Sequence, residues 1–139
     1  MAGDLPGVGE IPLAGTATYS GHAIGNVFNS EFSSGDQYIA IGNFTNEWDF
    51  GAREGVITIT DFDGKDFSTP LLGEAGAAAA TMANRRDYSG DILPTAGISG
   101  TVTGSFFAGG VDPVAATAGQ FTLTNGTTYR AAGTFAATK

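Results

Sequence analysis

From Gly15 onward the chain is a succession of short stretches in which apolar and polar residues alternate, each set off by glycine or turn residues. Alternation with a period of two places every second side chain on one face of an extended strand, the signature of a half-buried β-strand. Thr16, Thr18 and Ser20 alternate with Ala17 and Tyr19, and Tyr38–Gly42 leads into Asn46–Gly51. In Glu54–Thr60, Ile57 and Ile59 share one face while Val56 and Thr58 share the other. Asp87–Ile92 reads as a further short strand ended by Pro94, and three segments close the chain: 100–107, 118–123 and 129–139. Asp63-Gly64 marks a tight turn, and Asn125-Gly126 predicts a two-residue hairpin turn, because both turn positions favour φ > 0. Along the last segment Tyr129, Ala131, Gly133, Phe135 and Ala137 fall on one face, which we expect to point inward. A glycine between two aromatics there leaves room for a large side chain from across the interior. Helical spacing is scarce. Only 74–83 is helix-prone, and its small residues suit a strand against a crowded neighbour equally well. The pattern predicts an all-β domain, a single eight-stranded antiparallel up-and-down β-barrel.

A length of 139 residues suits one domain, and we divide it into a Gly/Pro-rich leader, 1–14, and a barrel domain, 15–139. Hydrophobic content of 42% provides a core, and 22 glycines without a collagen-like period favour β structure over disorder. In the leader, Leu5, Val8, Ile11 and Leu13 need burial if they are to be ordered, in the barrel's own end or on a neighbouring chain. A homo-oligomer formed through residues 1–14 is the second case. A formal net charge of −8 argues against a nucleic-acid partner and against anionic lipid. The chain has no cysteine, which excludes disulfides, thiolate zinc sites and catalytic thiols. No apolar run is long enough for a membrane-spanning helix, and residues 1–10 lack the basic and apolar regions of a signal peptide.

Three groups of residues carry a family likeness. Gly15-Thr-Ala-Thr-Tyr19-Ser-Gly21 resembles the opening strand of the barrel domains of transferrin-binding protein B and related bacterial surface lipoproteins. Asp49-Phe50-Gly51 resembles their Asp-Phe-Gly segment. The C-terminal segments, Gly104-Ser-Phe-Phe107, Ala118-Gly-Gln-Phe121 and Gly133-Thr-Phe135-Ala-Ala-Thr-Lys139, resemble their closing strands. The likeness is specific in the last 40 residues and weak over 65–95. It implies a β-barrel, a cell-surface or secreted location, and partners among host iron proteins, haemoglobin or haem, and complement regulators.

Candidate chemistry is thin. His22 is the single histidine. It could ligate haem iron, as could Tyr19, Tyr38, Tyr88 or Tyr129, but a solvent-facing histidine beside Gly21 explains it as well. Asp61, Asp63 and Asp66 alternate around Gly64 in the manner of hard oxygen ligands for calcium. A β-turn explains the same letters, the later glutamate of a calcium loop is missing, and Lys65 sits among the carboxylates. Arg85, Arg86 and Tyr88, with Phe44, Trp48 and Phe50, form a candidate interaction set, since Trp, Tyr and Arg dominate interface hot spots. Many of these are equally expected in the core. No nucleophile elbow, phosphate loop or zinc signature is present.

These observations point to a non-catalytic binding module of a bacterial cell-surface or secreted protein, without a cofactor, in host-protein, haem or iron acquisition. The alternative is a structural subunit of an extracellular assembly, a filament, coat or surface layer. A barrel enclosing a small apolar ligand is a third reading.

Overall fold

The computed structural model describes residues 11–29, 36–80 and 86–139. They form nine strands: β1 (Thr16–Asn29), β2 (Asp36–Asp49), β3 (Glu54–Phe62), β4 (Lys65–Ser68), β5 (Ala78–Ala80), β6 (Asp87–Thr95), β7 (Ile98–Gly109), β8 (Asp112–Thr124) and β9 (Tyr129–Thr138). All neighbouring pairs are antiparallel. Eight strands close a ring in the order β2-β1-β9-β8-β7-β6-β5-β3, with β3 returning to β2. The expected eight-stranded barrel is therefore present, with one strand more than anticipated. β4 lies outside the ring and pairs only with β3, Ile59 standing opposite Phe67. The helix-prone stretch contributes β5, where Ala78 packs so closely on Gly90 that a Cβ there would lie 2.7 Å from its Cα.

Inward positions follow the period of two. On β9, Tyr129, Ala131, Phe135 and Ala137 are all buried, as the alternation predicts. Asp61 breaks the period on β3. It sits at φ 56, the register shifts between Ile59 and Phe62, and Phe62 turns inward in place of its neighbour. Such a bulge is how a strand bends at a barrel corner.

The interior is filled by aromatic rings set against glycine. Phe44 stacks on Phe135 at a centroid distance of 4.1 Å and 8° between planes. A Cβ at Gly133 would lie 2.7 Å from Cζ of Phe121, and one at Gly104 would lie 2.9 Å from Cζ of Phe135. The missing side chains are the space the rings occupy, which answers the expectation at Gly133. At one end Phe106 gathers Tyr19, Trp48, Phe50 and Tyr88, with centroids between 5.2 and 5.6 Å away. Ile11 is buried in the same continuous core. The other leader residues for which burial was expected divide: Leu13 is exposed, and Leu5 and Val8 lie outside the described residues.

Two turns carry the sequence expectations. Asp63 (φ 54) and Gly64 (φ 73) form a two-residue turn between β3 and β4, the left-handed pair a type I′ hairpin requires. The Asn125-Gly126 expectation is corrected. Residues 125–128 connect β8 to β9, and only Gly126 has positive φ. Oδ1 of Asn125 instead accepts the backbone N–H groups of Thr127, Thr128 and Tyr129, each at 2.9 Å. The asparagine acts as a side-chain cap of the loop, a second use of the same residue type.

Candidate functional site

The residues singled out from the sequence do not meet in one place. His22 lies on the outer face of β1, exposed, between Asn43 on β2 and Ala136 on β9. The tyrosines point into the barrel with their hydroxyls engaged. That of Tyr19 donates to the Val114 carbonyl at 2.6 Å, and that of Tyr88 lies 2.6 Å from Oγ1 of Thr117. Burial pushes the phenols of Tyr19 and Tyr88 well above their ordinary pKa, because the interior disfavours phenolate.

Of the aspartates, Asp63 turns to the barrel mouth, where Oδ2 accepts from Tyr38 at 2.7 Å and from Tyr129 at 3.0 Å. Burial first, and then Asp63, raises the pKa of Tyr129. Asp66 uses Oδ1 to accept the backbone N–H of Asp61 at 3.0 Å. Among the described residues no three His, Cys, Asp or Glu side chains form a group able to hold a metal ion. The letters read as a calcium loop are a turn and a hydrogen-bonded tie across the barrel end.

The interaction set also separates. Arg85 lies outside the described residues. Arg86 stands at the rim, its Nε 3.3 Å from Oδ1 of Asp87. Tyr88 is corrected from interface to interior: it is 2% exposed and packs against Trp48 and Phe106. Phe44, Trp48 and Phe50 are core residues. Within that core, the indole nitrogen of Trp48 is buried without a hydrogen-bond partner, and the amide of Asn46 is buried beside the Tyr88 hydroxyl.

What the structure assembles instead is an apolar wall on the outside. Ile39 is 65% exposed, Ile41 61%, Ile24 47% and Phe28 36%. Ile24 stands directly opposite Ile41, and Asn26 opposite Ile39, so these side chains share one surface of the β1–β2 pair. On β9, Ala132 and Thr134 are small and leave a shallow groove between Ile24 and Ile39 on one side and Gln120 and Thr122 on the other. The guanidinium carbon of Arg130 lies 5.7 Å from the Phe28 ring centroid, closing the wall with a positive charge. The outward positions around the isoleucines are His22, Asn26, Gln37, Asn43, Thr122, Thr124, Ala132, Thr134 and Ala136, with the exposed carboxylates of Glu47 on β2 and Asp61 on β3 at the margin. Contiguous exposed apolar surface of this kind marks contact sites. A signal for it was present in the sequence: Tyr38-Ile-Ala-Ile-Gly42 carries aliphatic side chains on both faces, so one set had to face out.

No protein-family model matches the chain, and no curated protein matches it. Solved structures do. A mutant of transferrin-binding protein B from Haemophilus parasuis Hp5 superposes with a TM-score of 0.70 at 15% identity, over 96% of this chain and 28% of that one. Transferrin-binding protein B from serogroup B Neisseria meningitidis gives 0.65 at 16% identity, over 98% of this chain and 27% of that one. A structure described as a surface lipoprotein gives 0.67 at 14% identity, over 98% of this chain and 65% of that one. The fold is that of a transferrin-binding protein B-like β-barrel domain. The chain spans about a quarter of the length of the transferrin-binding proteins, and under two thirds of the lipoprotein.

Proposed function

We propose that the chain is a non-catalytic protein-binding module of a bacterial cell-surface protein, and that the outer wall of β1, β2 and β9 is its contact face. The single observation that carries this reading is the wall. Four large apolar side chains stand in solvent on adjacent strands, on a scaffold whose inward positions are taken up by aromatic packing. Unpartnered apolar side chains lose little order on docking when the strands beneath them are already rigid. Arg130 supplies the polar anchor at the edge, with carboxylate as its natural counterpart. The aromatic filling also speaks against the reading in which the barrel carries a small apolar ligand inside. In this account residues 1–14 are a leader and 15–139 the binding domain.

The likeness to transferrin-binding proteins supports host iron acquisition as the setting, with transferrin the first ligand to test. Immobilised protein is exposed to iron-loaded and iron-free transferrin in biolayer interferometry, beside an Ile39→Lys/Ile41→Lys variant. Saturable binding that the variant loses supports the proposal. Absence of binding removes transferrin as the partner. Binding that the variant keeps removes the wall as the contact face. Addition of haem, followed at the Soret band, tests the haem-carrying alternative, which predicts a shifted band that His22→Ala abolishes.

A further inference from the structure

The barrel mouth at Asp63 brings together three oxygen donors that lie far apart in the sequence. Tyr38 stands on β2, Asp63 in the turn between β3 and β4, and Tyr129 at the start of β9. Both phenol groups donate to the same carboxylate atom, Oδ2 of Asp63, at 2.7 and 3.0 Å. We propose that this cluster is a binding site for ferric iron, with Tyr38, Tyr129 and Asp63 as its ligands. The proposal does not depend on the wall of β1, β2 and β9.

The spacing of the oxygens selects a small cation. A small, hard cation holds oxygen ligands at about 2.0 Å in an octahedron, whose edges are then about 2.8 Å. The two oxygen–oxygen distances at Asp63 fall on either side of that edge. For calcium, with bonds of about 2.4 Å, the corresponding edge is about 3.4 Å, and the cluster is too tight. A small cation that takes the place of the two phenol protons therefore meets three ligands with little movement of the side chains.

The donors select the charge. A phenol in water gives up its proton near pH 10, and here burial first, and then Asp63, makes that of Tyr129 harder to remove. Divalent magnesium or calcium acidifies its ligands too weakly to displace two such protons at neutral pH. Trivalent iron is acidic enough, and tyrosine oxygen is a ligand of iron in haem proteins. Binding releases two protons to solvent. Two phenolates and one carboxylate then balance three positive charges, so the half-buried mouth takes up no net charge.

The fold holds the three ligands in place beforehand. The left-handed pair Asp63 (φ 54) and Gly64 (φ 73) fixes the carboxylate at the tip of its turn. Tyr129 is 1% exposed and stands opposite Asn29 in the β1–β9 ladder. Nδ2 of Asn29 in turn lies 3.5 Å from the Tyr38 oxygen. Tyr38 and Asp63 are only partly buried, which leaves a way in from solvent. Lys65 is the one feature that opposes a cation. Its ammonium lies 3.3 Å from the Asp63 backbone carbonyl and 5.6 Å from the Tyr129 ring centroid. That charge disfavours a bare metal ion and suits iron that carries a small anion, a carbonate or the carboxylate of a chelator, on the positions facing water.

Titration of the full chain with ferric nitrilotriacetate, followed by absorption spectroscopy, tests the site. Phenolate bound to ferric iron gives a visible charge-transfer band that neither the chelate nor the protein has alone. The band is expected to saturate at one iron per chain, and to be lost in Tyr38→Phe, in Tyr129→Phe and in Asp63→Asn. Asparagine tolerates the left-handed backbone at this position and keeps an acceptor for the phenols, so Asp63→Asn is expected to retain the near-ultraviolet circular dichroism of the parent. His22→Ala is expected to bind iron like the parent. Gallium(III) has the same charge and a similar size but no such band. It is expected to give the ultraviolet difference spectrum of ionised tyrosine with the parent and not with Tyr129→Phe. Absence of a visible band at saturating chelate overturns the site. A band that persists in Tyr129→Phe or in Asp63→Asn also overturns it, because the iron is then held elsewhere.

Discussion

Replacing Phe135 with alanine probes the barrel interior at its centre. The side chain is 3% exposed, lies on the inward face of β9 and stacks on Phe44 at 4.1 Å. Its Cζ also fills the space in front of Gly104 and Gly119, where added Cβ atoms would stand 2.9 and 2.7 Å away. Truncation therefore leaves a hole bounded by a ring on one side and backbone on the other. The β-ladders fix that backbone, so little can collapse into it. Phe→Ala in such a site costs about 3–5 kcal/mol, and rigid surroundings favour the upper half of that range. About 0.5–1.5 kcal/mol of the loss belongs to the ring pair itself. A cycle with Phe44→Ala isolates it, because the two residues are in contact and their effects do not add. The assay is urea unfolding followed by tryptophan fluorescence, Trp48 being the single reporter. A domain of this size has about 5–15 kcal/mol in hand, so the variant is studied at low temperature, where it stays folded. A loss below about 1 kcal/mol at unchanged denaturant slope would mean that β9 presents its other face to the core.

The tie across the barrel end is tested by Asp63→Gly, which removes the acceptor for Tyr38 and Tyr129 without straining a left-handed backbone position. A loss of about 2 kcal/mol or more is expected, because two phenols lose a charged partner, and a loss within about 0.5 kcal/mol contradicts the tie. At alkaline pH the folded pKa values of Tyr19, Tyr88 and Tyr129 are raised, so their contribution to stability is complete below the unfolded value of about 10 and is lost as pH rises beyond it. Their tyrosinate absorbance should appear only together with the loss of near-ultraviolet circular dichroism, and ionisation in the folded protein near pH 10 would refute their burial.

The inward face of β9, the Asp63-Gly64 turn and the pairing of the closing strands were legible because each depends on local geometry. A period of two, an Asp-Gly pair between alternating runs and a glycine opposite a ring each admit few alternatives. Asn125 was misread because asparagine serves turns in two ways, by adopting a left-handed backbone or by capping neighbouring N–H groups, and one sequence does not separate them. Tyr88 and Trp48 were ambiguous for a related reason. The residue types that dominate interfaces also fill the ends of barrels, and only the closed ring shows which side of the strand each takes. The bulge at Asp61 reverses the alternation before Phe62, so no reading by strict period could place both. The wall was missed although half of its signal lay in Ile39 and Ile41. Its other half, Ile24 and Phe28, is distant in sequence and becomes a neighbour only through the β1–β2 register.

The isoleucines divide the molecule cleanly. Ile24, Ile39 and Ile41 are on the wall, and Ile11, Ile57, Ile59, Ile92 and Ile98 are in the core. Methyl-labelled isoleucine spectra recorded with a soluble gadolinium chelate therefore test the central claim directly, first on the protein alone and then with a protein partner. The account predicts strong broadening of the three wall methyls in dilute solution, with the core methyls spared, and recovery of the same three when the contact forms. Wall methyls shielded in dilute solution, or a contact that leaves them as broadened as before, would contradict it.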